Sequence, residues 1–441
     1  MKKQLQIFLD FLRFCIGSAK EIPDSLKEAD WNELYAIAKK HCLVGVLFDG
    51  IKKLPAEHVG MKKELLLQWM AESRMLEKTN VRLNDAAIQV SEWFWKKGFR
   101  TCILKGQGNA LMYPNPYSRT PGDIDIWVEG GDKRVISFVR SISPHEKACY
   151  HHIEFPSYKG VEVEVHYRPS FLLCFWHNRK LQKYYERVKE EQFSHRVMLG
   201  ANGEIAIPTA EFNLIFQLTH IFSHLMNEGI GLRQLLDYFF LLKNTDFSGN
   251  TDGGAFFANT DFTDNTDKFS GNTDGDGFLL NTDFTDNTDK FSGNTDGDGF
   301  LLNTDFTDNT DRIGGNADGD GFLVNTDLTD RGLLQDELRR LGLWEFAGAV
   351  MYIMQEVFGL EDNRLIVPPD VMRGRLVLNE VLEAGNFGKH DARNRFGRSQ
   401  FGHNLQRVYR DIRLVRYFPT EALSEPIFRI WHFFWRCYQK M

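Results

Sequence analysis

Residues 119–128 read RTPGDIDIWV and place two carboxylates one residue apart at the start of an apolar run. Successive side chains of a β-strand point to opposite faces, so Asp123 and Asp125 share one face and the apolar residues share the other. Gly122 allows the backbone to turn tightly into this strand. Two acids on one strand face can hold a divalent cation together with substrate phosphates. The alternative is a pair of solvated aspartates on an exposed face.

The preceding stretch, residues 100–113 (RTCILKGQGNALMY), predicts a short strand over 101–104, a glycine turn and a helix. A strand followed by a glycine turn and a helix N-terminus favours phosphate binding, because free backbone N–H groups and the helix dipole attract anions. This stretch therefore predicts a phosphate cradle next to the two aspartates.

Residues 160–167 (GVEVEVHY) alternate between valine and polar residues, which indicates a further strand. Glu162, Glu164 and His166 share one face of that strand. A hairpin formed with a strand over residues 151–155 would bring Glu164 beside the two aspartates. The sequence thus offers a third carboxylate and a histidine from a second strand.

Together, residues 104–106 (LKG), 119–125 (RTPGDID) and 164–166 (EVH) resemble the nucleotidyltransferase superfamily of the DNA polymerase β type. They are most similar to an uncharacterised bacterial family in which Leu-Lys-Gly precedes Arg-x-x-Gly-Asp-hydrophobic-Asp and an acid two residues before histidine. The similar core extends from about Cys102 to Tyr167. The superfamily usually has Gly-Gly or Gly-Ser at the phosphate turn, where this chain has Gly-Gln-Gly at residues 106–108.

The resemblance implies transfer of a nucleoside monophosphate from an NTP to an unknown hydroxyl acceptor, a small molecule or a protein, with pyrophosphate leaving. It implies a two-metal mechanism with Mg²⁺ or Mn²⁺ as cofactor. The implied catalytic and metal-binding residues are Asp123, Asp125 and Glu164. The implied nucleotide-binding residues are Lys105, Gly106, Gly108, Arg119 and Gly122. The alternative function is a catalytically weak nucleotide- or partner-binding module with the same fold.

The residue pattern leaves the roles of the two cations open. Arginine suits bidentate contact with phosphate, but Arg119 could instead pair with an aspartate to hold its loop, and Lys105 could be solvated. On a later helix, Arg233 and Asp237 lie four residues apart and are predicted to pair with each other.

Histidines near the motifs are predicted to have structural or orienting roles. His166 is expected to orient a neighbouring group or to lie in the core. Adjacent residues of a strand point to opposite faces, so His151 and His152 are not expected to share a metal ion. His220 and His224 have the spacing of a helical metal pair but no accompanying glutamate, and we expect them to be packed or to line a substrate site.

Composition indicates a cytoplasmic protein with no strong signal for nucleic-acid binding. The 441 residues carry a formal net charge of −7, and the six cysteines contain no CxxC pair, as expected for reduced thiols. The N-terminal residues predict an amphipathic helix rather than a signal peptide, and we expect no transmembrane segment.

Hydrophobic periodicity predicts an α+β fold, with a small mixed β-sheet core flanked by helical N- and C-terminal regions and interrupted by a low-complexity insertion. Thr209 is predicted to cap a helix over 210–227. The aromatic residues 93–95 are expected to pack against the following strand, and the aromatic stretch 426–436 is expected to pack on the helices rather than lie on a membrane. The predicted regions are a helical region over 1–98, the transferase core over 99–207, helices over 208–243, the insertion over 244–330 and helices over 331–441.

The insertion is a tandem repeat with a period of 22 residues, and residues 259–280 and 281–302 are identical copies of NTDFTDNTDKFSGNTDGDGFLL. This composition buries little apolar surface, so disorder is the first expectation. Oxygen side chains spaced as in residues 272–283 also resemble a calcium loop, although without its closing glutamate. Stacked short strands are a third possibility. A leucine stripe that includes Leu333 and Leu334 indicates that the helices resume after the repeat.

Overall fold

The computed structural model describes residues 3–200, 203–247, 330–391, 393 and 400–439. The fold is α+β, as predicted, with a small mixed sheet flanked by helices. The predictions of disorder, calcium binding and stacked strands for the repeat fall on residues outside this description.

The described strands are β1 (Thr101–Ile103), β2 (Ile124–Val128), β3 (His152–Tyr158), β4 (Val161–His166), β5 (Arg196–Met198) and β6 (Glu204–Ala206). The first four form one sheet in the order β1-β2-β4-β3. β2 and β4 are parallel neighbours, whereas β1 is antiparallel to β2 and β3 is antiparallel to β4. β5 and β6 form a separate antiparallel pair.

Helices supply most of the remaining described structure. The prediction for residues 210–227 is confirmed at both ends, and the Thr209 side chain accepts a hydrogen bond from the Phe212 amide. The helices are α1 (Lys3–Cys15), α2 (Trp31–His41), α3 (Val44–Ile51), α4 (Lys63–Lys96), α5 (Gln107–Ala110), α6 (Gly131–Ile142), α7 (Phe175–Ser194), α8 (Ala210–Asn227), α9 (Leu232–Asn244), α10 (Arg331–Arg340), α11 (Trp344–Phe358), α12 (Val371–Ala384), α13 (Gln400–Leu414) and α14 (Pro419–Gln439).

One hydrophobic core lies between the sheet and the helices α4 and α6. Most of its strand residues come from the alternate apolar positions of β2 and β4, as the alternation predicts. Phe94 is buried in this core and Trp93 packs against it. Trp95, by contrast, is 66% exposed, so the expectation that all three aromatic residues pack is wrong for Trp95. Successive residues of a helix face different directions, and α4 turns Trp95 outward.

A larger core joins the helices before and after the repeat. α9 ends at Asn244 and α10 begins at Arg331, and buried leucines of both helices belong to this core. The Asp330 carboxylate caps α10 by accepting hydrogen bonds from the backbone amides of Gly332 and Leu333. Leu333 itself is 68% exposed and not part of the buried stripe, which corrects its predicted place. All described residues belong to one compact unit.

The C-terminal helix α14 packs through one face only. Phe428 is buried and stacks on Phe171. The opposite side exposes a row of apolar residues at helical spacing, so the predicted packing holds for half of this aromatic stretch. Leu423, Ile427, Ile430 and Phe434 form the exposed row. None of the described helices is long and apolar enough to cross a membrane.

Candidate active site

The parallel pairing of β2 and β4 brings the predicted carboxylates together. Asp125 lies directly opposite Glu164 in the register of the two strands, and Asp123 immediately precedes β2. Asp125, Glu164 and His166 each offer a ligand atom, and these atoms lie within 4.8 Å of one another. The two sequence motifs therefore meet at one place on the sheet.

Asp125 is buried and contacts two cationic or polar groups. Lys105 Nζ lies 2.9 Å from Asp125 Oδ1, and His166 Nε2 lies 3.0 Å from the same oxygen. Burial alone would raise the pKa of Asp125, but Lys105 and His166 outweigh it and hold this pKa well below its usual value. Burial lowers the pKa of Lys105, yet Asp125 and Asp123 shift it upward overall. Lys105 is thus a largely buried cation held against Asp125.

Lys105 reaches this position because of how β1 pairs with β2. The amide of Leu104 donates to the Asp125 carbonyl at 3.0 Å, which extends the antiparallel pairing by one residue. Gly106 then turns the chain with φ of +61°, a conformation that favours glycine. The predicted helix after the turn is a single turn, α5.

The predicted glycines differ in their surroundings. Gly106 and Gly122 line a cavity that borders this edge of the sheet. Gly108 does not line it, and a Cβ atom there would meet Ile207 at 3.1 Å, so close packing favours glycine at this position. The nucleotide-binding role predicted for Gly108 has no contact with the cavity to support it.

Arg119 is buried and paired within the protein. Its Nε and Nη2 atoms each lie 2.8 Å from an oxygen of Asp237, and Tyr113 donates to the same carboxylate at 2.7 Å. Of the two roles left open for Arg119, this contact matches the one in which it pairs with an aspartate and holds the loop before β2. The predicted pair of Arg233 with Asp237 is wrong, because Arg119 makes the bidentate contact and Arg233 instead donates to the Thr120 carbonyl at 3.0 Å.

A cavity of about 660 Å³ lies between this edge of the sheet and the helices α8, α9, α13 and α14. All three carboxylates line this cavity. His220 and His224 line it too, which agrees with the expectation that they border a site rather than with the alternative that they are only packed. A volume of this size is in the range of small-molecule sites and can hold a nucleotide. The carboxylates therefore line a cavity that opens to solvent rather than a fully exposed strand face.

The sequence profile of a family described as uncharacterised nucleotidyltransferases matches residues 27–260, slightly more than half of the chain. This chain belongs to that family. No curated protein matches the chain. This chain is also similar to a crystal structure of an antigenic nucleotidyltransferase-like protein from Paracoccidioides brasiliensis. The match covers 37% of this chain and 77% of that protein's chain, with 16% identity and a TM-score of 0.25.

The site of this family member has the donor chemistry that a divalent cation requires. Carboxylate oxygens are the ligands that Mg²⁺ and Mn²⁺ prefer. The charge of Asp125, and then burial, raise the pKa of Asp123, so these two carboxylates repel each other. A cation between them would relieve this repulsion. The residues present therefore fit a divalent metal.

Arg233 is a cavity residue that sequence reasoning missed. It lines the cavity from α9 beside Gly122, where a Cβ atom would lie 3.7 Å from Arg233 Nη1. It is buried, and its Nε has no hydrogen-bond partner among the described residues. Burial, and then the charge of Arg119, lower the pKa of its guanidinium. No local signal identifies Arg233, because its spacing to Asp237 suggested a simple helical pair.

His151 and His152 lie together and do not point to opposite faces, which was the reason for expecting that they share no metal ion; the expectation about the ion itself stays a prediction. β3 begins at His152, so His151 precedes the strand and is not subject to the alternation of side chains. His151 Nε2 lies 3.0 Å from His152 Nδ1. These two histidines and His166 form a group whose ligand atoms lie within 4.8 Å of one another.

Proposed function

We propose that this protein transfers a nucleoside monophosphate from an NTP to a hydroxyl acceptor, with pyrophosphate as the leaving group and Mg²⁺ or Mn²⁺ as cofactor. One observation carries the proposal: in a member of a nucleotidyltransferase family, Asp123, Asp125 and Glu164 line one cavity beside Lys105.

Each carboxylate has a distinct part in this proposal. Asp123 and Asp125 would hold both ions, and Glu164 would hold the one nearer the acceptor. When bound, the ions stabilise negative charge on the attacking and leaving oxygens. Burial raises the pKa of Glu164, but the hydrogen bond from His166 lowers it overall. Glu164 is therefore ionised at neutral pH and able to accept the proton of the acceptor hydroxyl.

The cations around the cavity would bind the phosphates of the substrate. Lys105 is engaged by Asp125, and Arg119 is engaged by Asp237 through its Nε and Nη2 atoms. Arg233 keeps one donor, Nε, without a hydrogen-bond partner among the described residues, in a buried position beside Gly122. We therefore assign the main phosphate contact to Arg233 in place of Arg119, since a guanidinium is well suited to phosphate oxygens.

Arg233→Gln is expected to weaken NTP binding by about ten- to a hundredfold, as for the loss of a charged hydrogen bond. The same change is expected to alter the melting temperature of the free protein only slightly, because it removes a buried charge but also the hydrogen bond to the Thr120 carbonyl. Isothermal titration with a non-hydrolysable NTP and thermal unfolding measure the two effects. Arg74→Gln, on the exposed face of α4, is the control and should change neither. Unchanged NTP affinity in Arg233→Gln would contradict this assignment.

Transfer of label from each α-³²P-labelled NTP tests the function itself. The protein is incubated with Mg²⁺ and cell extract, and wild type is compared with Asp123→Ala/Asp125→Ala. We expect a labelled small molecule or protein that is missing with the double variant, which would also reveal the class of acceptor. If wild type is folded and binds NTP but transfers no label from any nucleotide, the weak binding module is the better account.

A further inference from the structure

The histidine group at the edge of the sheet comprises His151, His152 and His166. His152 and His166 are directly opposite each other in the antiparallel pair β3–β4, so their side chains share one face of the sheet. His151, just before β3, adds a third ring. The three ring centroids lie 4.4 to 5.3 Å apart.

Glu164 lies next to this histidine group. Its Oε2 atom lies 3.5 Å from both His152 Nδ1 and His166 Nε2, and His151 Nε2 lies 3.0 Å from His152 Nδ1. An ion bound tetrahedrally at about 2.0–2.1 Å from each ligand sets neighbouring ligand atoms about 3.3–3.4 Å apart. The three observed separations, 3.0 to 3.5 Å, bracket that value.

Two ring nitrogens of the group lack polar contacts. The Nδ1 atoms of His151 and His166 are buried and, within the described part of the chain, have no hydrogen-bond partner. Buried polar atoms of proteins are usually paired, so these two nitrogens are exceptions. The Nε2 atom of His166 contacts Asp125, and an ion at this site would replace that contact.

We propose that His151, His152, His166 and Glu164 form a binding site for one transition-metal ion of the Zn²⁺ class. Imidazole nitrogen suits Zn²⁺, Co²⁺ and related ions, whereas Mg²⁺ prefers oxygen ligands. The site therefore differs in chemistry from the oxygen set of Asp123 and Asp125, although it shares Glu164 with the proposed catalytic group. Its occupancy can be measured without NTP, so its test does not depend on the proposed function.

Cobalt binding to the metal-free full-length protein tests the site without any activity assay. Tetrahedral Co²⁺ with nitrogen ligands gives intense visible absorption, whereas octahedral Co²⁺ on oxygen ligands absorbs weakly. This distinction separates the histidine site from the aspartate-rich residues 244–330. We expect one Co²⁺ per chain with intense bands, displaced by equimolar Zn²⁺ and retained in excess Mg²⁺.

His151→Ala and His152→Ala are each expected to weaken this Co²⁺ binding by at least about tenfold. His224→Ala, which removes another cavity histidine outside the group, is the matched control and should leave the bands unchanged. Circular dichroism establishes that each variant is folded. Wild type without intense bands, or intense bands of unchanged affinity in both folded variants, would overturn the proposal.

Discussion

Asp125→Asn is expected to lower nucleotidyl transfer by about 10³-fold, the upper end of the cost of losing one charge-stabilising group. The change keeps the shape of the side chain but removes the charge that faces Glu164 across β2 and β4. It also removes the ionic contact with Lys105. The initial rate of label transfer from an α-³²P NTP measures the effect.

Glu162→Gln provides the control for this substitution. Glu162 is a carboxylate of the same strand as Glu164, but it is exposed and lies outside the cavity. Its replacement should leave the transfer rate unchanged. If Asp125→Asn is folded and retains a rate within tenfold of wild type, the assignment of Asp125 to the metal site is wrong.

Asp237→Ala is expected to lower the free energy of unfolding by about 3–5 kcal/mol, because removing one partner of a buried ion pair leaves an uncompensated charge. Asp237 accepts hydrogen bonds from Nε and Nη2 of Arg119 and from the hydroxyl of Tyr113, and all three residues are buried. Its loss also leaves Arg233 buried beside Arg119. Denaturant unfolding monitored by circular dichroism measures the change.

Two comparison variants separate the buried pair from ordinary surface charge. Asp336→Ala removes a partner of Arg339 in a pair whose side chains are 79% and 51% exposed, and should cost less than about 0.5 kcal/mol. Arg119→Met/Asp237→Leu removes both charges and should be less destabilised than Asp237→Ala alone. A cost of less than about 1 kcal/mol for Asp237→Ala would show that the pair does not hold the loop before β2.

Local patterns in the sequence were sufficient for the elements that carry the carboxylates. The alternation of residues 124–128 and 161–166 predicts strands with one apolar face, and both strands are observed with their valines and isoleucines in the core. The helix over 210–227 was predicted correctly because a capping threonine and a helical period act on the same short segment.

Other features depend on tertiary contacts that local patterns cannot show. Arg119 and Asp237 are 118 residues apart in sequence, yet two guanidinium nitrogens of Arg119 contact the two oxygens of this carboxylate. Arg233, four residues from Asp237 on the same helix, does not make this contact. Strand alternation does not apply to His151, because β3 begins one residue later, at His152. The phosphate role of Arg233 stays a proposal that became visible only with the shape of the cavity.

The most direct test of the central claim compares α-³²P and γ-³²P forms of the same NTP as donors. Nucleotidyl transfer predicts that the acceptor takes up the α label but not the γ label, with one pyrophosphate released for each nucleotide transferred. It also predicts that neither label is transferred by Asp123→Ala/Asp125→Ala. Uptake of the γ label would identify phosphoryl transfer and contradict the claim, as would NTP binding by wild type with transfer of neither label.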